Sequence, residues 1–240
     1  MTDQLERMIR GGRELTANVS HELRSPLARI RIAEEILREK CELAGYKDAL
    51  SYLSEIQEEI FELDRLIDRI LYLSKLDVHE PQSEREQISL NPIIEGIAER
   101  HFSNIKRREI ELVLELEDKV GVWGDHETLM TCISNLFDNA VKFTTQGGRI
   151  KVKTLTDEND VRMQFTNSFP RINDEELSQI FEPFHRTGTI PEAGGSGLGL
   201  AIVKKIIISY GGEIEARNTE DGFMIDINFP EKLELTNYML

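Results

Sequence analysis

The chain has 240 residues with 29 Lys and Arg against 44 Asp and Glu, a formal net charge of −15. That balance argues against duplex nucleic acid or anionic lipid as the principal partner, since both call for clustered basic residues, but it leaves room for a nucleotide held at a local positive site. The length suits one large domain or two modest ones. Cys41 and Cys132 fit no metal or redox spacing, and no apolar run approaches the ~18 residues of a membrane span.

From Leu5 to about Leu43 the apolar residues Leu5, Met8, Leu15, Val19, Leu23 and Ile30 recur at helical spacing. On that helix Leu15, Val19, Leu23 and Leu27 fall in an arc of about 120° almost opposite His21, so the imidazole points away from the apolar seam. Glu22 follows it, and Ser25 stands one turn further on the same face. Pro26 removes a backbone donor beyond them, which predicts a bend or hinge near Glu22. A break at Ala44-Gly45-Tyr46 precedes a second helix whose stripe, Leu53, Ile56, Ile60, Leu63, Ile67 and Ile70, alternates steps of three and four. The pattern predicts an antiparallel hairpin that dimerises into a four-helix bundle; the alternative is a monomeric hairpin packed on the rest of the chain.

Residues 77–89 are polar, contain Pro81 and lose the period, which places a domain boundary there. The expected organisation is a helical domain over 1–78, a linker over 79–88 and an α/β domain over 89–240. In the second domain Asn91-Pro92 reads as the N-cap and first position of a helix to about Lys106. A strand over 109–116 and a short one over 120–123 follow, and Asp125 caps a helix over 126–143. Strands near 148–155 and 160–166, a short helix over 174–181, a helix from Gly199 to about Tyr210 and strands over 212–218 and 223–229 complete a mixed sheet under helices.

Two features of this half point to a nucleotide. On the helix over 126–143, Leu129, Ile133, Leu136 and Ala140 form the core stripe, while Asn135, Asn139 and Lys142 share a face roughly 120° away. Amide oxygens suit Mg²⁺, an ammonium suits phosphate, and Phe143 offers a flat face to a base. Alone, this row could equally be a solvated face. The second feature is Gly194-Gly195-Ser196-Gly197-Leu198-Gly199-Leu200, directly before an apolar helix, where glycines permit close backbone approach and a helix N-terminus presents N–H groups to phosphate. No P-loop pattern occurs, and no dinucleotide fingerprint is supported. The preceding Phe181-Glu182-Pro183-Phe184 marks this segment as a lid.

Five blocks in order resemble the cytoplasmic core of a sensor histidine kinase of two-component systems: 19–27, 135–143, an altered block near 167–172, 180–186 and 194–202. The resemblance implies a helical dimerisation and histidine-phosphotransfer domain followed by a Bergerat-type α/β ATP-binding domain. It implies His21 as phosphoacceptor, Glu22 as the acid that fixes its tautomer, and Ser25 as a possible orienter of water against a phosphoaspartate. ATP and Mg²⁺ are the implied cofactors, with Asn135 and Asn139 on the metal. Lys142, Phe143, Asn167, Phe184, Arg186, Gly195, Gly197, Leu198, Gly199 and Leu200 are the implied nucleotide contacts. The implied partners are a second copy of the chain and a response regulator. The implied location is the cytoplasmic side of a bacterial inner membrane, behind a sensor that precedes this segment.

One block departs from the family. Where relatives carry Asp-x-Gly-x-Gly, this chain has Asn167-Ser168-Phe169-Pro170-Arg171. Asn167 keeps a carbonyl acceptor, but both glycines are replaced, by Phe169 and Arg171. Phe169 either packs on the base or closes a tighter loop, and Arg171 either reaches phosphate or does the same. The rival functions are therefore a non-catalytic or phosphatase-biased dimeric signalling module with an impaired nucleotide site, and an ATPase without phosphotransfer.

Overall fold

A computed structural model describes residues 27–76, 86–157, 160–186 and 196–230. The chain divides into two compact units, Met1–Val78 and His79–Leu240.

In the first unit, residues 27–44 form helix α1 and Lys47–Leu76 form helix α2, a run of 30 residues. The turn between them is set by Gly45 at φ +73°, a left-handed conformation that glycine adopts without a Cβ penalty. Leu27 of α1 packs with Ile60 and Ile67 of α2, and Leu71 lies against them. Arg38 ties the two helices: it bonds Glu34 on its own helix at 2.9 Å and reaches Gln57 on α2 at 3.2 Å. The predicted stripe is only half covered. Leu53, Ile60 and Ile67 are buried, whereas Ile56 and Leu63, in the same stripe, stay 44% and 46% exposed, as does Ile36 of α1 at 49%. A hairpin with a wide apolar face leaves such residues in water unless another surface covers them.

The second unit begins earlier than expected. Strand β1 (Glu86–Ser89) occupies the end of the predicted 79–88 linker and pairs antiparallel with β3 (Gly121–Gly124). A four-residue strand on a two-stranded ribbon shows almost no alternation, so nothing in its sequence marked it. Helix α3 (Leu90–Arg107) has Ser89, not Asn91, at its N-cap position, and the Ser89 side chain makes no capping bond. Asn91 lies inside the first turn, and its side-chain NH₂ donates to the carbonyl of Glu117 at 2.9 Å. Pro92 is tolerated there because the N–H groups of a first turn have no intrahelical partner.

The main sheet has five strands in the order β2-β4-β5-β7-β6: β2 Glu111–Leu116, β4 Arg149–Asp157, β5 Asp160–Asn167, β7 Gly222–Pro230 and β6 Glu213–Thr219. β2 and β4 are parallel; the other neighbours are antiparallel. One face alternates buried residues, with Ile150 and Val152 on β4, Val161, Met163 and Phe165 on β5 and Ile225 and Ile227 on β7. Those residues form the core together with α3, α4 (His126–Phe143) and α6 (Gly199–Ser209). The expected α/β sandwich is therefore present. Between β5 and α6 lies the short helix α5 (Asp174–Gln179), capped by Asn173, whose Oδ1 accepts from the Glu176 N–H at 2.7 Å. No described helix is long and apolar enough to cross a membrane.

Candidate nucleotide site

Helix α4 carries most of the predicted site. Its start is fixed by Asp125, whose carboxylate accepts from the Thr128 N–H at 2.8 Å, an N-cap of the expected kind. Its core stripe, Leu129, Ile133, Leu136 and Ala140, is at most 4% exposed. Asn135 and Asn139 are half-buried and Lys142 is exposed, in keeping with a polar face turned from the core. The Asn135 NH₂ donates to the Thr131 carbonyl at 2.8 Å, which turns its oxygen the other way. A Cβ at Gly199, the first residue of α6, would stand 3.2 Å from that oxygen. The amide oxygen of Asn135 thus lies beside the N-terminus of α6, where free N–H groups and the helix dipole favour an anion. A hard acceptor next to a helix N-terminus suits a cation bridged to a phosphate.

The segment before α6 is held by backbone. Gly197 has φ +70°, and a Cβ there would come within 2.6 Å of the His185 carbonyl oxygen. Its carbonyl accepts from the Phe184 N–H at 3.1 Å. Phe184 itself has φ +64°, unusual for an aromatic residue, and its side chain is 59% exposed. The backbones of Phe184 and Gly197 therefore meet directly. Arg186 and Leu200 lie within the described residues, exposed and half-buried, whereas Gly195 lies outside them. Leu198 is fully buried as the N-cap of α6, so its side chain belongs to the core and only its backbone can face a ligand. His21, Glu22 and Ser25, and with them the hinge expected at Pro26, also lie outside the described residues.

The altered block at the end of β5 forms a braced loop. Ser168 donates its N–H to the Arg149 carbonyl at 2.9 Å, and its hydroxyl accepts the Arg149 N–H at 3.0 Å. Asn218 of β6 makes a reciprocal pair with Ile172, donating to its carbonyl at 2.8 Å and accepting its N–H at 2.9 Å. Phe169 packs edge-on to Phe143, with ring centroids 6.0 Å apart, and lies 6.5 Å from Phe223 of β7. Lys142 places its ammonium 4.9 Å from the Phe143 centroid. Phe169 and Phe143 thus form an aromatic wall at the C-terminal end of α4. Beside it Asn167 is 5% exposed, and its Nδ2 has no hydrogen-bond acceptor among the described residues.

Sequence reasoning missed Arg108, whose side chain reaches across to this helix. Its guanidinium donates to the carbonyls of Val141, Lys142 and Thr144 at the end of α4. The only available signal was a basic residue just past the end of α3, which points to that helix's own carbonyls rather than to another's. Asn218 was missed for the same reason, since its partner lies 46 residues away.

The family described as histidine kinase-, DNA gyrase B- and HSP90-like ATPase matches residues 124–233, and the His Kinase A (phospho-acceptor) domain matches residues 13–78. Among curated relatives, the signal transduction histidine-protein kinase BaeS of Escherichia coli is 30% identical over 98% of this chain and half of its own length. The sensor histidine kinase WalK of Bacillus subtilis is 32% identical over 98% of this chain and 39% of its own. The chain thus spans about half, or less, of the curated relatives it matches. Among solved structures, the catalytic domain of the histidine kinase ThkA is 30% identical, with a TM-score of 0.57 over 62% of this chain and 97% of that domain. ThkA in complex with the response regulator TrrA aligns over 91% of this chain and 61% of its own, at 28% identity and a TM-score of 0.65. The domain matches, the sandwich and the near-complete coverage of a solved catalytic domain lead to one assignment: this chain belongs to the HisKA-type sensor histidine kinases.

Proposed function

We propose that this chain transfers the γ-phosphoryl group of Mg-ATP to His21 and then to an aspartate of a response regulator. The observation that carries the nucleotide half is the junction of α4 and α6, where the Asn135 oxygen lies beside the helix N-terminus. Asn139 and Lys142 follow on the same face of α4 within the next seven residues. In this reading Asn135 and Asn139 hold the cation, which supplies charge neutralisation to the phosphate oxygens. Lys142 leaves the Phe143 ring to meet phosphate, and the N–H groups opening α6 cradle it. The base lies against the Phe143–Phe169 wall and faces Asn167.

The acceptor half rests on the sequence around His21. A neutral imidazole attacks the γ-phosphorus with its free nitrogen, an N–P bond forms, and the bond to the departing ADP oxygen breaks. The proton on the other ring nitrogen passes to the Glu22 carboxylate, which until then fixes the tautomer. Positioning and charge neutralisation supply most of the catalysis in phosphoryl transfers of this kind. Ser25 orients a water for hydrolysis of the regulator's phosphoaspartate, which releases inorganic phosphate and the free aspartate. The hairpin pairs with a second copy through the apolar face that leaves Ile36, Ile56 and Leu63 exposed in the single chain, and the regulator docks on the resulting bundle. The parent protein places this core on the cytoplasmic side of a bacterial inner membrane, behind an upstream sensor.

The nucleotide reading is tested by ATP binding to the full chain with and without Mg²⁺. Binding that requires Mg²⁺ and is lost in Asn139→Ala supports it. No binding at millimolar ATP by a folded chain overturns it in favour of a non-catalytic signalling module.

A further inference from the structure

The proposed base site contains one group that the adenine-nucleotide reading leaves unmatched. Asn167 closes β5, paired in register with Ile150 on one side and Phe223 on the other. Its side chain shares the helix-facing side of the sheet with Met163 and Phe165. It is 5% exposed, and its Nδ2 donor meets no acceptor among the described residues. Burying an unpaired amide donor is costly, and folded proteins seldom leave one without an explanation such as a missing partner.

The surroundings leave this group little freedom to find a partner by moving. A Cβ at Gly222 would stand 2.3 Å from the Asn167 carbonyl oxygen, so β7 abuts the backbone here. Ser168 is bonded to Arg149 through both backbone and hydroxyl, and the Asn218–Ile172 pair fastens the loop beyond. The terminal torsion of an amide can present either its oxygen or its NH₂ to a ligand. A carboxylate at this position could only accept. An amide can donate to a carbonyl oxygen on the base edge or accept from an amino group there.

Building on the nucleotide function proposed above, we infer that the base site takes 6-oxopurine nucleoside triphosphates as well as ATP. Asn167 is the residue that sets this specificity. Its oxygen accepts from the 6-amino group of adenine; its NH₂ donates to the 6-oxo group of hypoxanthine or guanine. Inosine triphosphate is the cleanest probe, because it differs from ATP at the base edge without the added 2-amino group of guanine.

The test is competition between ITP and ATP for the full chain in the presence of Mg²⁺, in the natural sequence and in Asn167→Asp. The natural chain binds ITP within about tenfold of ATP, since an amide offers a partner to either base. In Asn167→Asp the ratio of the ITP to the ATP dissociation constant rises by roughly thirtyfold or more, because a carboxylate faces the 6-oxo group without a donor. ITP binding over a hundredfold weaker than ATP in the natural chain overturns the inference and leaves the nucleotide function standing. So does a ratio unchanged in Asn167→Asp while ATP still binds. Failure of the natural chain to bind ATP at all overturns both.

Discussion

The guanidinium of Arg108 donates to the backbone carbonyl of Lys142 at 3.1 Å and reaches the neighbouring carbonyls of Val141 and Thr144 as well. The last carbonyls of a helix lack intrahelical donors, and a cation among them is favoured by the dipole. The Arg108 carbonyl in turn accepts the Gly147 N–H at 3.0 Å, so α3 and the turn after α4 are stitched in both directions. Arg108→Ala is expected to destabilise the second unit by about 1–3 kcal/mol in urea unfolding. Because Lys142 and Phe143 sit at this end, it should also raise KM for ATP more than it lowers kcat, with Arg108→Lys intermediate. An unchanged KM would confine Arg108 to stability.

Gly197 and Gly147 separate two kinds of glycine requirement. Both have nearly the same φ, +70° and +68°. A Cβ at Gly197 would press on the His185 oxygen at 2.6 Å, whereas one at Gly147 would meet nothing within 4 Å. Gly147→Ala therefore bears only the left-handed backbone cost of about 1 kcal/mol. Gly197→Ala bears that and a clash at the base of the Gly-rich segment. Nucleotide binding should weaken severalfold in Gly197→Ala and hold in Gly147→Ala; equal effects would show that backbone strain alone matters.

Cys132 lies in the core of α4, fully buried, and burial pushes its thiol up to about 12. The reactive species is the thiolate, so the folded protein should leave Cys132 unlabelled by a maleimide at pH 8. Cys41, half-buried on α1, should react first. Labelling of Cys132 then reports opening of the second unit, and its rate should rise in urea in step with the loss of secondary structure. Equal labelling of both thiols in the native protein would contradict the core described here.

On the sheet face away from the helices, Asp226 is 6% exposed and receives Arg162 at 2.8 Å, Arg217 at 3.0 Å and Gln164 at 3.2 Å. Burial pushes its carboxyl up, but the hydrogen bonds from Arg162 and Gln164 and the charges of both arginines outweigh it and hold the group below its ordinary value of 3.8. A carboxyl more acidic in the folded state contributes stability above its unfolded value and loses it as pH falls through the folded one. The loss of stability between pH 6 and pH 3 should accordingly be smaller in Asp226→Asn than in the natural chain. A larger loss would contradict the sign.

The elements with strong periodicity were legible in the sequence. Helix α4 was expected over 126–143 with Asp125 as its cap, and both are found as read. The stop at Gly211 and the strands around it follow the same logic, with Gly211 at φ +71°. β1 was not legible, because four residues paired only with β3 leave no alternation to detect. The Ser89 cap was masked by Asn91-Pro92, a stronger local signal whose amide the fold uses elsewhere. For Phe169 the sequence left two readings open, packing on a base or closing a tighter loop; the ring lies edge-on to Phe143 and 6.5 Å from Phe223, a position compatible with both. Arg108 and Asn218 act across tertiary distances, where spacing along the chain carries no information.

The central claim is that His21 receives phosphate from ATP. Incubation of the full chain with Mg²⁺ and γ-labelled ATP, followed by acid and base treatment, tests it most directly. The expected result is label that is stable in base, lost in acid, absent from His21→Gln and chased off by a supplied response regulator. A folded, ATP-binding chain that takes up no label, or one in which His21→Gln is labelled as strongly as the natural sequence, would contradict it.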